Sequence, residues 1–170
     1  CTPDSFYSGS RQQNTSGLLK QAEKMIHGGA SILDIGGYSS RPGADEVPEA
    51  EEIQRTVPMI GLLKKYFPQT PLSIDTFRRE VARQALDAGA SIINDITGGM
   101  HDEGMMPLAA EYKSALVVMH MRGTPKTMGT MTDYQDLVKE VTQFLEQRVR
   151  AALAAGITDV IIDPGFGFAK

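Results

Sequence analysis

The stretch Ala88-Gly89-Ala90-Ser91-Ile92-Ile93-Asn94-Asp95, left through Thr97-Gly98-Gly99, decides the fold. A glycine able to take a left-handed conformation stops a helix, a continuous apolar run of strand length follows, and polar residues close it. The same grammar recurs in Gly29-Ala30-Ser31-Ile32-Leu33-Asp34 and in Gly156-Ile157-Thr158-Asp159-Val160-Ile161-Ile162-Asp163. A unit repeated at this scale is a structural module. A carboxylate or amide closing a buried strand is costly unless it lies at an open end that ligands can reach. The repetition therefore predicts a barrel with its site on one rim.

Working outward, Leu72–Asp75 and Ala115–His120 read as further buried strands with polar ends. Helical spacing of apolar residues predicts a helix over Asn14–Ile26 and a second from Glu49, with Ile53, Val57, Ile60, Leu63 and Phe67 on its inner face and a kink at Pro58. Val81, Ala82, Ala85 and Leu86 mark a third, and Met106–Tyr112 a short fourth. A long helix over Tyr134–Ala155 should turn Leu137, Val141, Phe144, Val149 and Leu153 inward. Alternating strands and helices imply an α/β protein with a parallel sheet and right-handed crossovers. A doubly wound sheet fits this order, but polar residues ending almost every strand (Asp34, Asp75, Asn94, His120 and Asp163) favour a closed eight-stranded barrel. Gly-rich and lysine-bearing nucleotide loops are absent.

With 170 residues, 41% hydrophobic, 22% charged and a net charge of −4, the composition is that of a globular protein. The mild acidity without basic runs argues against a nucleic-acid or membrane surface. The one cysteine, Cys1, has no internal partner, so a reducing compartment and a cytoplasmic location are expected. The chain starts without methionine and stops just after a strand, and five strands cannot close an eight-stranded barrel. The expectation is one barrel domain over residues 1–170, incomplete at both ends.

Two groups of residues can carry chemistry. The strand-end carboxylates and amide can accept from adjacent N–H groups of a polar heterocycle, or handle protons where their environments split their proton affinities. Any single acid could instead cap the following helix. Metal ligation is the weaker alternative, since no His-x-x-x-His or cysteine cluster accompanies His120. The second group, Ser39-Ser40-Arg41-Pro42-Gly43, offers hydroxyls, a forked guanidinium and small residues suited to a phosphate or carboxylate. The alternative is a solvated surface loop.

Thr2-Pro3-Asp4-Ser5-Phe6, Asp34-Ile35-Gly36-Gly37 with Ser40-Arg41-Pro42-Gly43, Ser73-Ile74-Asp75-Thr76, Ile93-Asn94-Asp95-Ile96, Val118-Met119-His120-Met121 and Asp163-Pro164-Gly165-Phe166-Gly167-Phe168 occur in one order along the chain. Together they closely resemble the dihydropteroate synthase family. The resemblance implies a (β/α)8 TIM barrel, of which this chain covers about the second to sixth strands. It also implies joining of (7,8-dihydropterin-6-yl)methyl diphosphate to p-aminobenzoate, with release of diphosphate. By the same resemblance Asp75, Asn94 and Asp163 hold the pterin, with Asp75 and Asp163 the candidates for any catalytic role. Ser40 stands where the family usually has threonine, contacting diphosphate; Met119 lines the pterin pocket and Phe168 forms an aromatic wall. Phe6 and Pro42, organised by Asp4 and Arg41, match two loops that close over p-aminobenzoate. The family's magnesium-binding asparagine would precede Cys1, its later basic residues would follow Lys170, and Ala169 stands where many relatives have glycine. A Mg2+ cofactor and a homodimer are implied for the complete enzyme. A related barrel that binds methyltetrahydrofolate in methyl transfer, and a noncatalytic pterin-binding protein, are the alternatives.

Overall fold

A computed structural model describes residues 15–38, 47–123 and 127–170. Helices α1 (Thr15–His27), α2 (Glu49–Tyr66), α3 (Arg79–Asp87), α4 (Met105–Tyr112) and α5 (Leu137–Ala154) alternate with strands β1 (Leu33–Gly36), β2 (Leu72–Asp75), β3 (Ile92–Asp95), β4 (Ala115–Met119) and β5 (Val160–Asp163). The strands form one parallel sheet in sequence order, as expected of successive modules in a (β/α)8 barrel.

The repeated glycines work as the sequence suggested. Gly29, Gly89 and Gly156 have φ of 99°, 111° and 94°. After each, the next backbone N–H returns to a carbonyl five residues back: Ala30 to Met25, Ala90 to Ala85 and Ile157 to Ala152. Ser114 closes α4 on Ala109 in the same way, with Lys113 rather than glycine at the left-handed position (φ 53°).

Alternation along the strands divides their side chains between two faces. Leu33, Ile35, Leu72, Ile74, Ile93, Leu116 and Val118 are buried in the main core, which α2 joins through Ile60 and Leu63 and α3 through Val81, Ala82, Ala85 and Leu86. Three helical expectations need correction. The fully buried stripe of α2 is Glu52, Thr56, Ile60 and Leu63; Ile53 and Phe67 pack against the core at its margin as expected, but Thr56 rather than Val57 takes the buried position between them. Leu137 and Leu153 are exposed, and α5 buries Leu145 and Ala152 instead. Helix α5 also starts later than expected, at Leu137, with the Asp136 carboxylate accepting from the Lys139 N–H at 3.1 Å. Helix α2 is continuous through Pro58.

Candidate functional site at the strand ends

The parallel register places Gly36, Asp75, Asn94, Val117 and Ile161 on one rung across the sheet. Met119 and Asp163 pair on the rung two residues further along their strands. Strand tilt in a barrel carries later strands further along the axis at a given height, so both rungs contribute to the same rim. Gly36 leaves room for its neighbour: a Cβ there would lie 3.3 Å from Asp75 Oδ2. The Asn94 amide donates from Nδ2 to Asp34 Oδ2 at 3.1 Å, reaching across the intervening β2.

Burial, followed by the negative charges of Asp34, Glu52 and Asp95, pushes the Asp75 carboxyl up to about 8. It is thus protonated through most of the neutral range in the absence of a ligand. Asp95 points to the opposite face and is fully buried. Its carboxylate accepts from Thr97 N–H, Thr97 O–H and Gly99 N–H at 2.8, 2.7 and 3.0 Å, fixing the loop after β3.

His120 departs from the strand-end set. It lies on the helix side, edge-on to Phe144 with ring centroids 4.9 Å apart, and its buried Nδ1 has no hydrogen-bond partner among the described residues. Burial, followed by the charge of Lys170, lowers its proton affinity. The odd-even alternation of β4 explains the placement, because Met119 takes the inward position and its successor must face out.

Asp163 begins a tightly constrained turn. Its Oδ1 accepts from Gly165 N–H at 2.7 Å. Gly165 has φ 67°, and a Cβ there would approach the His120 carbonyl oxygen to 2.3 Å. The Lys170 ammonium donates to the carbonyls of His120, Gly165 and Phe168, each at 3.0 Å, tying the end of β4 to the loop after β5. Above the rungs lies a second apolar cluster of Ile96, Met119, Met121, Met128 and Ala169, with Phe77 and Phe168 packed against it. Met119 is buried within that cluster and Phe168 is half-buried at its margin. Ala169 adopts φ 57°, a left-handed conformation that glycine would take without strain.

Sequence reasoning missed the support beneath one side of this rim. Glu52 is 1% exposed and accepts from Thr76 O–H at 2.7 Å and from Arg78 Nη1 at 2.6 Å. Burial raises its proton affinity against the pull of Thr76 and Arg78. Gly37 packs on the same helix face, where a Cβ would come within 2.9 Å of Thr56 and 3.0 Å of Glu52. Arg55 donates to the Gly37 carbonyl at 3.0 Å, and Arg78 lies over the rings of Tyr38 and Phe77. A 3.6-residue period containing Glu52 and Thr56 was visible, but only as polar residues at core positions. Asp4, Phe6, Ser40, Arg41 and Pro42 lie outside the described residues.

A parallel α/β sheet in sequence order, with carboxylates, an amide and an apolar rim at its strand ends, defines a barrel protein with its polar residues gathered on one rim. The family model of the pterin-binding enzymes matches residues 1–170. The chain belongs to the pterin-binding enzyme family. It is 51% identical to the folic acid synthesis protein fol1 of Schizosaccharomyces pombe over 99% of this chain and 23% of that protein. The structure of the Yersinia pestis dihydropteroate synthase in a sulfonamide drug complex matches with a TM-score of 0.93 and 40% identity, covering 99% of this chain and 62% of that one. The Xanthomonas albilineans dihydropteroate synthase with 4-aminobenzoic acid matches with a TM-score of 0.86 and 41% identity, over 99% and 60%. The chain thus spans about three fifths of those synthases.

Proposed function

We propose that the protein is a dihydropteroate synthase, joining (7,8-dihydropterin-6-yl)methyl diphosphate to p-aminobenzoate to give 7,8-dihydropteroate and diphosphate. The observation that carries this reading is the rim itself: Asp75 and Asn94 share a rung, Met119 and Asp163 share the next, and an apolar cluster flanks them. The relatives bound to a sulfonamide and to 4-aminobenzoic acid support the second substrate.

Asp75, Asn94 and Asp163 hold the pterin in this reading, Met119 and Phe168 bound its ring, and Ser40 contacts the diphosphate. Asp4, Phe6, Arg41 and Pro42 belong to the loops that close over p-aminobenzoate. An ionised carboxylate accepts from a ring N–H and an adjacent exocyclic amine together, which a neutral amide cannot do. The amine nitrogen attacks the pterin methylene carbon as the carbon–oxygen bond to diphosphate breaks, and the nitrogen then loses a proton. Asp75 and Asp163 orient the electrophile, and no covalent enzyme intermediate is needed. Mg2+ is proposed for the whole protein from family resemblance alone. Among the described residues no group of three or more His, Cys, Asp or Glu could hold a metal ion, so no step is assigned to it. A homodimer and a cytoplasmic location belong to the same proposal; no described helix is long and apolar enough to cross a membrane.

Turnover by the full-length protein tests the reading. Diphosphate release that requires both substrates is expected. Pterin binding without such release would favour the noncatalytic alternative, and methyl transfer from methyltetrahydrofolate the other.

A further inference from the structure

We infer that Asp34 is a positioning residue for the ligand: by accepting from Asn94 across β2, it fixes which way round the Asn94 amide faces the site. The inference rests on the pterin reading and deepens it.

Asp34 and Asn94 stand on strands separated by β2 and two residues out of register, so their Cα atoms would lie roughly 11 to 12 Å apart in a flat sheet. Barrel curvature shortens that span on the inner face, and two short side chains with a 3.1 Å hydrogen bond close it. Between them β2 carries Ser73, the register partner of Asp34 and a small residue that leaves the crossing clear. Structural bracing is a poor explanation for the bond. Asp34 lies on the face away from the main core, and one side-chain hydrogen bond adds little net stability.

Its chemical effect is larger. The two ends of an asparagine amide are nearly the same size, so only their partners decide the orientation. Asp34 Oδ2 accepts from Asn94, which holds Nδ2 toward β1 and leaves Oδ1 and the second N–H for a ligand. Turning the amide over would set Oδ1 against Asp34 Oδ2. The site therefore presents a fixed acceptor and donor at Asn94, a pattern suited to a heterocycle edge bearing one of each.

Asp34 also acts through its charge on Asp75. The acidic groups whose charge acts on Asp75 are Asp34 on its own face and, through the sheet, Glu52 from α2 and Asp95 from β3; after burial Asp34 contributes most to its raised proton affinity. Removing Asp34 should therefore alter ligand orientation and the pH dependence of binding together. A bracing role would leave ligand orientation unchanged, although loss of the Asp34 charge would still move the midpoint.

The test uses the full-length protein, (7,8-dihydropterin-6-yl)methyl diphosphate as the probe, and the variants Asp34→Ala and Asp34→Asn. Calorimetric titration is run from pH 6 to 9, with melting curves alongside. At pH 9, where Asp75 is ionised, Asp34→Ala should weaken pterin binding at least tenfold. Asp34→Asn, which can still accept from Asn94 but no longer forbids the turned-over amide, should fall between Asp34→Ala and wild type. In both variants the pH midpoint of binding should fall, while the KM for p-aminobenzoate stays within about twofold. Wild-type affinity in a folded Asp34→Ala with an unmoved midpoint would overturn the inference. If Asp34→Ala does not fold, Asp34→Ser, too short to reach Asn94, is read in its place, and wild-type affinity there overturns the inference. Wild-type protein that does not bind the pterin would overturn the reading beneath it as well.

Discussion

Replacing Glu52 with Gln keeps the shape of the α2 face but reverses one contact. The new Oε1 can still accept from Thr76 O–H, now 2.7 Å away, but the amide nitrogen then faces Arg78 Nη1 across 2.6 Å. Two donors meet, and a guanidinium only 15% exposed loses its counter-charge. Breaking a buried ion pair costs about 3 to 5 kcal/mol. Burial already opposes the charge on Glu52, which offsets part of that loss, so a net destabilisation of about 2 to 3 kcal/mol is expected. For a domain of this size that lowers the Tm by roughly 5 to 10 °C. Urea and thermal unfolding of the full-length protein at pH 7 measure it directly. The difference should narrow in acid, where Glu52 itself becomes neutral. Adding Arg78→Met to Glu52→Gln should recover stability, since it removes the unpaired charge. A Glu52→Gln protein within 0.5 kcal/mol of wild type would refute the assignment of this pair as the support of the rim.

Other outcomes follow from the same geometry. Gly165→Ala forces a Cβ toward a carbonyl 2.3 Å away at φ 67°, and should cost more than about 2 kcal/mol in unfolding while depressing pterin affinity. Asp163→Asn should leave the melting curve nearly unchanged but cost about 2 to 5 kcal/mol in pterin binding, because an N–H replaces an acceptor; near-normal affinity in calorimetry would remove Asp163 from the site. Asp75 binds a proton in the folded state that the unfolded chain releases, so its contribution to stability is full below the ordinary carboxylate range and is lost as pH rises toward about 8. Asp75→Asn should therefore melt higher than wild type at pH 8, with the gap closing by pH 4; a lower Tm at pH 8 would contradict this.

The glycine-stopped modules were legible because a helix stop and a continuous apolar run leave separate marks on the sequence. Each of the five strands was placed to within two residues. The strand-end residues were legible as a set, but their facing was not. Counting by twos from Val117 through Met119 would have turned His120 outward. Glu52 and Thr56 escaped notice because an apolar period cannot register polar residues that bury by pairing with one another's neighbours. Leu137 and Leu153 show the converse, since apolar residues at helical spacing near a helix end need not meet the core. The Asn94–Asp34 bond depends on two side chains 60 residues apart meeting over a third strand, which no local pattern encodes.

A pterin held at this rim needs Asp75 ionised, because only the ionised carboxylate accepts from a ring N–H and an adjacent amine together, whereas the empty site holds it protonated. Calorimetric titration of the full-length protein with (7,8-dihydropterin-6-yl)methyl diphosphate at pH 7, in buffers of different ionisation enthalpy, counts the protons exchanged. With the Asp75 carboxyl pushed up to about 8, most of it carries a proton at pH 7 before binding, so net proton release on pterin binding is predicted, and it should vanish in Asp75→Asn. Tight binding with no proton released by the wild-type protein would contradict the account.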